Sequence, residues 1–216
     1  REEEDRHAVS VTTGLSHTCA IIDNGTLSCW GDNGFGQSGV PTTTPRLSPN
    51  QVIFPNGMGV AAVSAGDYHT CAILDNASVY CWGKAGDGQL GNGNTIQQDT
   101  HIPQYVDLGW RAKATQLSAG ERSTCAVLTD NTVKCWGAIQ PLDSLKYTPT
   151  EIDLEGDKAA AVGVGNEGAC LILLDGTPKC WGTGDGLFFG DGSAVGGSIN
   201  TRTDYVEVLI PDNRTA

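Results

Sequence analysis

At 216 residues the chain is long enough to bury a core of its own, and 29 glycines with only 6% aromatic residues favour a turn-rich β fold over a helical bundle. Thirteen Lys and Arg residues stand against 25 Asp and Glu residues, and the formal charge of −12 opposes phosphate backbones, so we expect no nucleic-acid partner. No run of about 18 apolar residues occurs, so the sequence predicts no membrane-spanning segment.

Four segments share one cysteine pattern, in which ten positions separate two cysteines and the second is followed by Trp-Gly. The pairs are Cys19 and Cys29, Cys71 and Cys81, Cys125 and Cys135, and Cys170 and Cys180. We predict that each pair lies across one β-hairpin. In the first hairpin this register sets Ile21 opposite Leu27 and leaves residues 23–25 as a three-residue loop, with Gly25 at the left-handed position that such loops require.

The same register applies to the three later hairpins. It places Ala77, Asn131 and Gly176 at the left-handed loop position, where Ala77 is the unfavourable residue. The facing pair is aliphatic in the first three hairpins, as cross-strand packing favours. In the fourth hairpin, Pro178 must occupy a strand position that needs no amide donor.

The hairpin register also predicts four disulfides. A close, non-hydrogen-bonded antiparallel pair brings two cysteines near the distance that a disulfide needs, and each bridge would contribute roughly 3 kcal/mol before strain is subtracted. Zinc sites usually hold two cysteines about two to four residues apart, so the spacing disfavours a metal, and buried free thiols are the remaining alternative. Four disulfides predict an oxidising compartment, either extracellular or at the cell surface.

Each hairpin belongs to a longer repeat. The corresponding segments are residues 14–20, 66–72, 120–126 and 165–171, and each begins with Gly three residues before a His, Ser or Gly. The cysteines recur at intervals of about 45–54 residues, a period typical of propeller blades. A Gly-Gln loop follows Trp-Gly at residues 34–39 and 86–91, and degrades to Ala-Ile-Gln-Pro at residues 138–141.

This pattern resembles the repeat of the regulator of chromosome condensation family, whose units read Gly, two residues, His-Ser/Thr, a hairpin, Trp-Gly and a Gly-Gln-Leu-Gly loop. The match is specific in the first two repeats and looser in the fourth, where Gly168 replaces His and residues 184–190 stand for the loop. The resemblance implies an all-β propeller or partial propeller of four-stranded blades. Members of the family usually have seven blades and range from a nuclear exchange factor for a small GTPase to secreted inhibitors of β-lactamase.

We therefore expect one propeller-like domain over residues 1–216, with repeat hairpins at about 8–40, 60–91, 114–137 and 160–192. A terminal strand is predicted at about 204–211. No repeat follows that strand, and the first repeat lacks a strand before it, so the two ends could close a ring, complete a neighbouring subunit or mark the cut of a fragment. The chain begins with Arg rather than Met, which favours a processed product or a fragment.

Three segments fit the Asn-x-Ser/Thr pattern for N-glycosylation. They are Asn24-Gly25-Thr26, Asn76-Ala77-Ser78 and Asn213-Arg214-Thr215. Asparagine is common in turns in any case. The first two segments nevertheless occupy the same hairpin tip in successive repeats, so for a eukaryotic source we expect N-glycans there.

Histidines and tryptophans at repeated positions suggest structural roles. His17 and His69 are replaced by Ser123 and Gly168 in the later repeats, which favours a hydrogen bond within the blade over metal ligation. The residues Trp30, Trp82, Trp136 and Trp181 each follow a second cysteine, and packing between repeats is favoured over a sugar-binding stripe. Trp110 lies outside this series and is the better candidate for a surface contact.

No catalytic or metal-binding motif stands out. No Gly-x-Ser-x-Gly element or phosphate-binding Gly-x-x-x-x-Gly-Lys loop occurs, and turn chemistry explains Asp185-Gly186 and Asp191-Gly192 better than calcium binding. We therefore expect no cofactor. The function expected is a non-catalytic extracellular structural or adhesive module with a protein partner or self-association, as a homo-oligomer or filament. The alternatives are a secreted inhibitor that caps its partner with one propeller face and, less favoured, an intracellular exchange factor for a small GTPase.

Overall fold

The computed structural model describes residues 6–96, 98–139, 144–166, 168–184 and 200–208. Its regular structure in these ranges is sixteen β-strands and one 3-10 turn at Pro55–Gly57. In chain order the strands are β1 (Ala8–Thr13), β2 (His17–Ile22), β3 (Leu27–Gly31), β4 (Arg46–Val52), β5 (Val60–Ala65), β6 (His69–Leu74), β7 (Val79–Gly83), β8 (Thr100–Val106), β9 (Ala114–Ala119), β10 (Ser123–Leu128), β11 (Val133–Gly137), β12 (Lys146–Glu151), β13 (Ala159–Val164), β14 (Gly168–Leu173), β15 (Pro178–Gly184) and β16 (Asn200–Glu207).

The strands form four antiparallel sheets of four consecutive strands each, which we number as blades one to four in chain order. The first strands of neighbouring blades contact one another, β1 with β5, β5 with β9 and β9 with β13, so they line a common axis. The later strands of each blade lie progressively further from that axis. This arrangement confirms the predicted all-β propeller architecture.

The predicted hairpin register is present in all four blades. Ile21 faces Leu27 in blade one, and Ile172 faces Pro178 in blade four. The loop residues also fit this register. Ala77, which the register places at the left-handed loop position, has a φ of 66°.

All eight cysteines form disulfides, and each bridge joins the two cysteines that face one another across a hairpin. The Cα–Cα distance is 4.1 Å in every bridge. The bridges are Cys19 with Cys29 in blade one, Cys71 with Cys81 in blade two, Cys125 with Cys135 in blade three and Cys170 with Cys180 in blade four. The alternatives of a zinc site and of buried free thiols are therefore not realised at these eight positions.

The strand that is missing before the first repeat does not leave blade one incomplete. The strand that precedes each later repeat in the sequence is the outermost strand of the preceding blade, as β8 is for blade two. The final strand, predicted at about 204–211, spans Asn200–Glu207 and pairs with β15, where Val206 faces Cys180. Every blade therefore has its full four strands. Residues 209–211 lie outside the described part of the chain.

The core lies between blades rather than within them. One side of each blade, which we call the disulfide face, carries the cysteine pair, and the opposite side, the tryptophan face, carries the tryptophan. Between blades one and two, the disulfide of Cys19 and Cys29 packs with Leu27 against Leu74 and Trp82 of blade two. Because β6 and β10 are covered on both sides, all their residues are buried. Three disulfides thus lie inside the cores that join the blades.

Candidate interaction surfaces

A buried polar network joins blade one to blade two. The Nε2 atom of His17 lies 2.8 Å from the hydroxyl of Thr70, and that hydroxyl donates to the main-chain carbonyl of Gln37 at 2.9 Å. The indole nitrogen of Trp82 donates to the same carbonyl at 3.0 Å. One carbonyl in the loop of blade one therefore accepts two hydrogen bonds from blade two.

The same network joins blade two to blade three. His69 Nε2 lies 2.8 Å from the hydroxyl of Thr124, which donates to the carbonyl of Gln89 at 3.3 Å. Trp136 donates to that carbonyl at 2.8 Å. The repeated Gly-Gln loop thus supplies a main-chain acceptor at both of these interfaces, a role that the sequence pattern alone did not reveal.

The hydrogen bonds determine the tautomer of both histidines. Since each threonine hydroxyl donates to a carbonyl, the imidazole must donate to that hydroxyl from Nε2–H, which leaves Nδ1 unprotonated and without a hydrogen bond. Burial lowers the pKa of His17 to about 4 and, together with the charges of neighbouring groups, the pKa of His69 to about 3. The prediction of a bond within the blade is wrong in one respect, because each histidine reaches the next blade.

The interface between blades three and four lacks this network, and both of its side-chain partners are replaced together. Ser123 occupies the histidine position in blade three, and Ala169 occupies the threonine position in blade four. The histidine and its threonine partner are therefore both absent at this interface. The parallel change of these two positions between repeats is a sequence signal from which the contact could have been inferred.

A second set of polar contacts follows the axis. In each case a side-chain hydroxyl of one inner strand accepts a hydrogen bond from a main-chain N–H of the next inner strand. The pairs are Thr12 with Ala65 at 3.1 Å, Ser64 with Ala119 at 2.9 Å and Ser118 with Val164 at 2.9 Å. The hydroxyl is useful there because the inner strand is a sheet edge whose outward N–H groups need acceptors.

Glycine is required where the turns after the inner strands approach one another. A Cβ atom at Gly14 would lie 2.2 Å from the carbonyl oxygen of Gly66, and one at Gly66 would lie 2.1 Å from that of Gly120. These contacts are far too short for any side chain. The repeated glycine therefore allows the blades to meet closely at the axis.

Two ends of the blade array are available for binding. At the loop end, the turns after the inner strands surround a cavity of about 300 Å³ on the axis. Its lining includes Leu15, Asp67, Glu121 and Asn166, which follow the repeated glycine in the four blades. The cavity mouth therefore carries two carboxylates and one exposed leucine.

The opposite end carries the hairpin tips, and we call it the hairpin end. Asn24 and Asn76 are exposed there. The side-chain oxygen of Asn24 accepts a hydrogen bond from the main-chain N–H of Thr26 at 3.1 Å, and that of Asn76 accepts one from Ser78 at 3.0 Å. Both asparagines are exposed as residues, as an N-glycosylation site must be. Glycosylation stays a prediction, and Asn213 lies outside the described residues.

Packing between repeats is confirmed for three of the four tryptophans in the repeated position, whereas Trp30 of blade one is partly exposed and belongs to none of the three cores. Trp82, Trp136 and Trp181 are fully buried in the cores between blades. Trp110 is 89% exposed on the turn that leads into blade three. Arg111, at a φ of 58°, places its guanidinium 5.5 Å from the Trp110 ring. The adjoining depression at the hairpin end has a volume of about 290 Å³.

Within the described ranges, no group of three or more His, Cys, Asp and Glu side chains is placed to hold a metal ion. The same part of the chain contains no helix long and apolar enough to cross a membrane. Asp185-Gly186 and Asp191-Gly192, weighed above as calcium ligands, lie outside the described residues.

Two models of the regulator of chromosome condensation (RCC1) repeat match the chain. One matches residues 8–37 and 60–89, and the other matches residues 24–73 and 76–127. Together they cover residues 8–127, more than half of the chain. The matched part holds blades one and two and the first half of blade three.

Individual proteins show the same similarity. The ultraviolet-B receptor UVR8 of Arabidopsis thaliana is 31% identical over 144 residues, which is 67% of this chain and 31% of the receptor. Human WBSCR16 has the same fold, with a TM-score of 0.81 at 18% identity over 98% of this chain and 55% of the human chain. The ectodomain of the receptor kinase CR4 from Physcomitrella patens matches with a TM-score of 0.53 at 28% identity, over 82% of this chain and 39% of the ectodomain.

The chain thus spans between about a third and just over half of the length of these three proteins. The family models, the four-stranded blades, the repeated Trp-Gly motif and the repeated His–Thr contacts agree with one another. The chain belongs to the regulator of chromosome condensation repeat family.

Proposed function

We propose that this chain is an extracellular, non-catalytic protein-interaction module that presents the two ends of a rigid blade array to other proteins. The observation that carries the proposal is the position of the disulfides. The cysteines of blades one to three are 0% exposed and form part of the cores between blades. Disulfides persist in oxidising compartments, so a core assembled around them suits a secreted or cell-surface protein.

Similarity to an extracellular protein supports this location. The chain is 28% identical to part of the CR4 ectodomain, a higher identity than it has to WBSCR16. The matched sites at Asn24 and Asn76 add to the argument, because both are exposed at hairpin tips on one end of the array. Glycans at these tips would keep part of the hairpin end hydrated and would leave the rest open to a partner.

Trp110 is the best candidate for a protein contact at the hairpin end. An indole that is 89% exposed makes an effective anchor when a partner covers it, and tryptophan is enriched among residues that dominate binding energy. Its turn is held in place, since the Lys134 ammonium donates to the carbonyl of Leu108 at 2.9 Å and Gly109 donates to the Asp107 carboxylate at 2.9 Å. The indole is thus displayed from an ordered turn.

The axial cavity favours a second candidate function, a secreted inhibitor that caps its partner with the loop end. Asp67 and Glu121 at this cavity would attract a basic segment, while Leu15 would supply apolar contact. An intracellular exchange factor for a small GTPase is the least favoured function, because the reducing cytosol opposes four disulfides. Self-association into a homo-oligomer or filament stays a prediction. It would use the sides of blades one and four that no neighbouring blade covers in the described structure.

The first test is the mass of the intact protein secreted from eukaryotic cells, measured before and after reduction and deglycosidase treatment. We expect four disulfides within hairpins, and sugar on Asn24 and Asn76 that an Asn→Gln change at each site removes. Eight free thiols and no glycan in correctly folded native material would contradict an extracellular function. Pull-down of surface proteins with the wild type and with Trp110→Ala would then show whether this indole contributes to binding.

A further inference from the structure

The depression beside Trp110 has a polar lining of balanced charge. It has a volume of about 290 Å³ and is bordered by the turn that leads into blade three, the hairpin tip of that blade and β12. Its charged side chains are two cations and two anions, namely Arg111, Lys134, Asp130 and Glu151. Two threonines add hydroxyl groups. A ligand in this depression therefore meets both hydrogen-bond donors and acceptors, with no net charge.

The exposed apolar part of the lining is the indole of Trp110. Leu108 and Leu128 also border the depression, but each is only 3% exposed. Arg111 lies over the indole, with its guanidinium carbon 5.5 Å from the ring centroid, and leaves the other face of the ring for a ligand. A flat aromatic face beside donors and acceptors suits a sugar ring. The C–H bonds of the sugar stack on the electron-rich face while its hydroxyls bond to the polar groups.

Some of these polar groups are held in place within the protein. The Oδ1 atom of Asp130 accepts hydrogen bonds from the main-chain N–H of Thr132 at 3.0 Å and from its hydroxyl at 2.7 Å, which lower the pKa of this carboxyl. Lys134 donates one of its three N–H bonds to the carbonyl of Leu108 at 2.9 Å, which leaves two for a ligand. Groups that are ordered before binding lose less entropy when a ligand arrives.

The equivalent turns show that blade packing does not require this tryptophan. In blades two to four the first residue of the inner strand donates a main-chain hydrogen bond to the hairpin tip of the preceding blade. These residues are Val60, Ala114 and Ala159, and the distances are 2.9, 3.3 and 2.9 Å. The residues four positions earlier are Asn56, Trp110 and Glu155. Two turns thus make the same contact without an aromatic side chain, so packing does not explain the indole.

We propose that the depression beside Trp110 is a binding site for a neutral saccharide. One sugar ring stacks on the indole, and its hydroxyls bond to the surrounding carboxylates and to the Lys134 ammonium. The balanced charge disfavours a phosphorylated ligand, and the polar lining disfavours an apolar one. The inference rests on the proposed function, because it names the group that an extracellular partner presents to Trp110, which is a glycan rather than a polypeptide segment.

Two sources could supply this sugar. One is a glycan on Asn76 of the same molecule, since Ala77 accepts the hydrogen bond from Ala114 and the Asn76 hairpin tip therefore lies next to the Trp110 turn. The other is a glycan on another molecule. The hairpin tip of blade three has Asp130 at the position of Asn76, so it carries no acceptor whose glycan would cover the site.

The first experiment titrates the full wild-type chain, made in a bacterial periplasm with its disulfides formed and no sugar attached. The probes are diacetylchitobiose, which is the core of N-glycans, methyl mannoside and maltose. Intrinsic fluorescence is a direct measurement, because Trp110 is the most exposed of the five tryptophans. A stacked sugar removes water from the indole and shifts its emission to shorter wavelength. The NMR signal of the Trp110 indole N–H identifies the site.

We expect at least one probe to bind with a dissociation constant of about a few millimolar or tighter, as one sugar ring on a shallow site should. Trp110→Ala should abolish the binding. Glu151→Gln keeps the shape of the side chain but removes its charge, and should weaken the binding several-fold. The control is Leu47→Ala, which removes an almost fully exposed apolar side chain of β4 and should leave the affinity unchanged.

Glycosylated protein secreted from eukaryotic cells distinguishes the two sources. If the Asn76 glycan occupies the site, this protein should not bind the free probe, and Asn76→Gln should restore binding whereas Asn24→Gln should not. If the glycan belongs to another molecule, the glycosylated protein should bind the probe as the periplasmic protein does. The wild type, but not Trp110→Ala, should then retain surface glycoproteins until these are treated with deglycosidase.

Three outcomes would overturn the proposal. They are the absence of binding by every probe at about 100 mM, binding that survives Trp110→Ala, and retention of a partner through Trp110 that persists after the partner is deglycosylated. The last outcome would assign the surface to a polypeptide. Saccharide binding by a chain whose native form has free thiols would refute only the extracellular function, and its absence from a chain with four disulfides would refute only this inference.

Discussion

The interface between blades two and three and the interface between blades three and four share one kind of apolar core and differ in their polar contacts. Both bury a disulfide and a tryptophan. The first adds the His69–Thr124 hydrogen bond and an ion pair between Arg122 and Asp87. The second has Ser123 and Ala169 in place of the histidine and threonine. Apolar burial is therefore common to both blade interfaces, whereas the polar network is gained or lost as a unit.

Acidification should weaken the two histidine-containing interfaces and should leave the interface between blades three and four largely unchanged. The folded-state pKa values of about 4 for His17 and about 3 for His69 lie below the ordinary value of 6.5, so the unfolded chain binds protons that the fold excludes. Their contribution to stability is complete above pH 6.5 and is lost as the pH falls toward 4 for His17 and toward 3 for His69. By pH 4 the loss amounts to about 3 kcal/mol for each histidine. Unfolding by denaturant across this pH range measures the loss.

Hydrogen exchange at pH 4.5 would locate the effect. We expect faster exchange in β6 and β10 than at pH 7, after correction for the intrinsic rates, with little change in β13 and β14. The matched control is the His17→Gln and His69→Gln double variant, whose amides can still donate to the threonines. An acid dependence that survives in this variant would show that other groups are responsible.

Removal of a buried disulfide should have a similar cost at both interfaces. We expect Cys71→Ala with Cys81→Ala, and Cys125→Ala with Cys135→Ala, each to lower the free energy of unfolding by about 4 kcal/mol, because each change removes a crosslink and leaves a cavity. Replacing Cys170 and Cys180 by alanine should lower the free energy of unfolding by about half as much, because this disulfide lies on the side of blade four that no other described blade covers. Chemical denaturation of the three double variants tests this order, and equal losses in all three would contradict it.

Transfer of the polar network to the third interface would sharpen the comparison. Ala169→Thr alone should destabilise the fold by about 2 kcal/mol, because it buries a hydroxyl without its imidazole partner. Adding Ser123→His should recover at least half of that loss. A double-mutant cycle, measured by denaturant unfolding, gives the coupling energy between positions 123 and 169. Additive effects would show that the two positions are independent.

The smallest effect is expected at the ion pair between blades two and three. The Arg122 side chain is 48% exposed and donates to Asp87, which lowers the pKa of that carboxyl through the hydrogen bond and the positive charge. Arg122→Gln should cost less than about 1 kcal/mol, and the difference should shrink at high salt. Thermal unfolding at low and high ionic strength measures it, and a large loss that is independent of salt would contradict a simple ion pair.

The hairpins were predictable because their determinants are local. A ten-residue cysteine spacing, a loop residue suited to positive φ and a facing aliphatic pair specify one register, and Ala77 adopts its left-handed conformation because that register leaves no alternative. The membership of each fourth strand was not predictable in this way. β8 precedes the third repeat in sequence yet belongs to blade two, since hydrogen bonding to β7 decides its place.

The contacts that join the blades depend on groups more than thirty residues apart. The sequence by itself determined the repeat and the disulfides, because both follow from spacing along one strand or one hairpin. It predicted the same packing for all four repeated tryptophans, and the burial of only three was decided by which blades have a neighbour on that side. Only the tertiary structure showed that His17 reaches Thr70 in the next blade and that the Gln37 carbonyl accepts from Trp82. The physical reason is that a main-chain carbonyl has no residue-specific signature, so its partners are decided by how neighbouring blades pack.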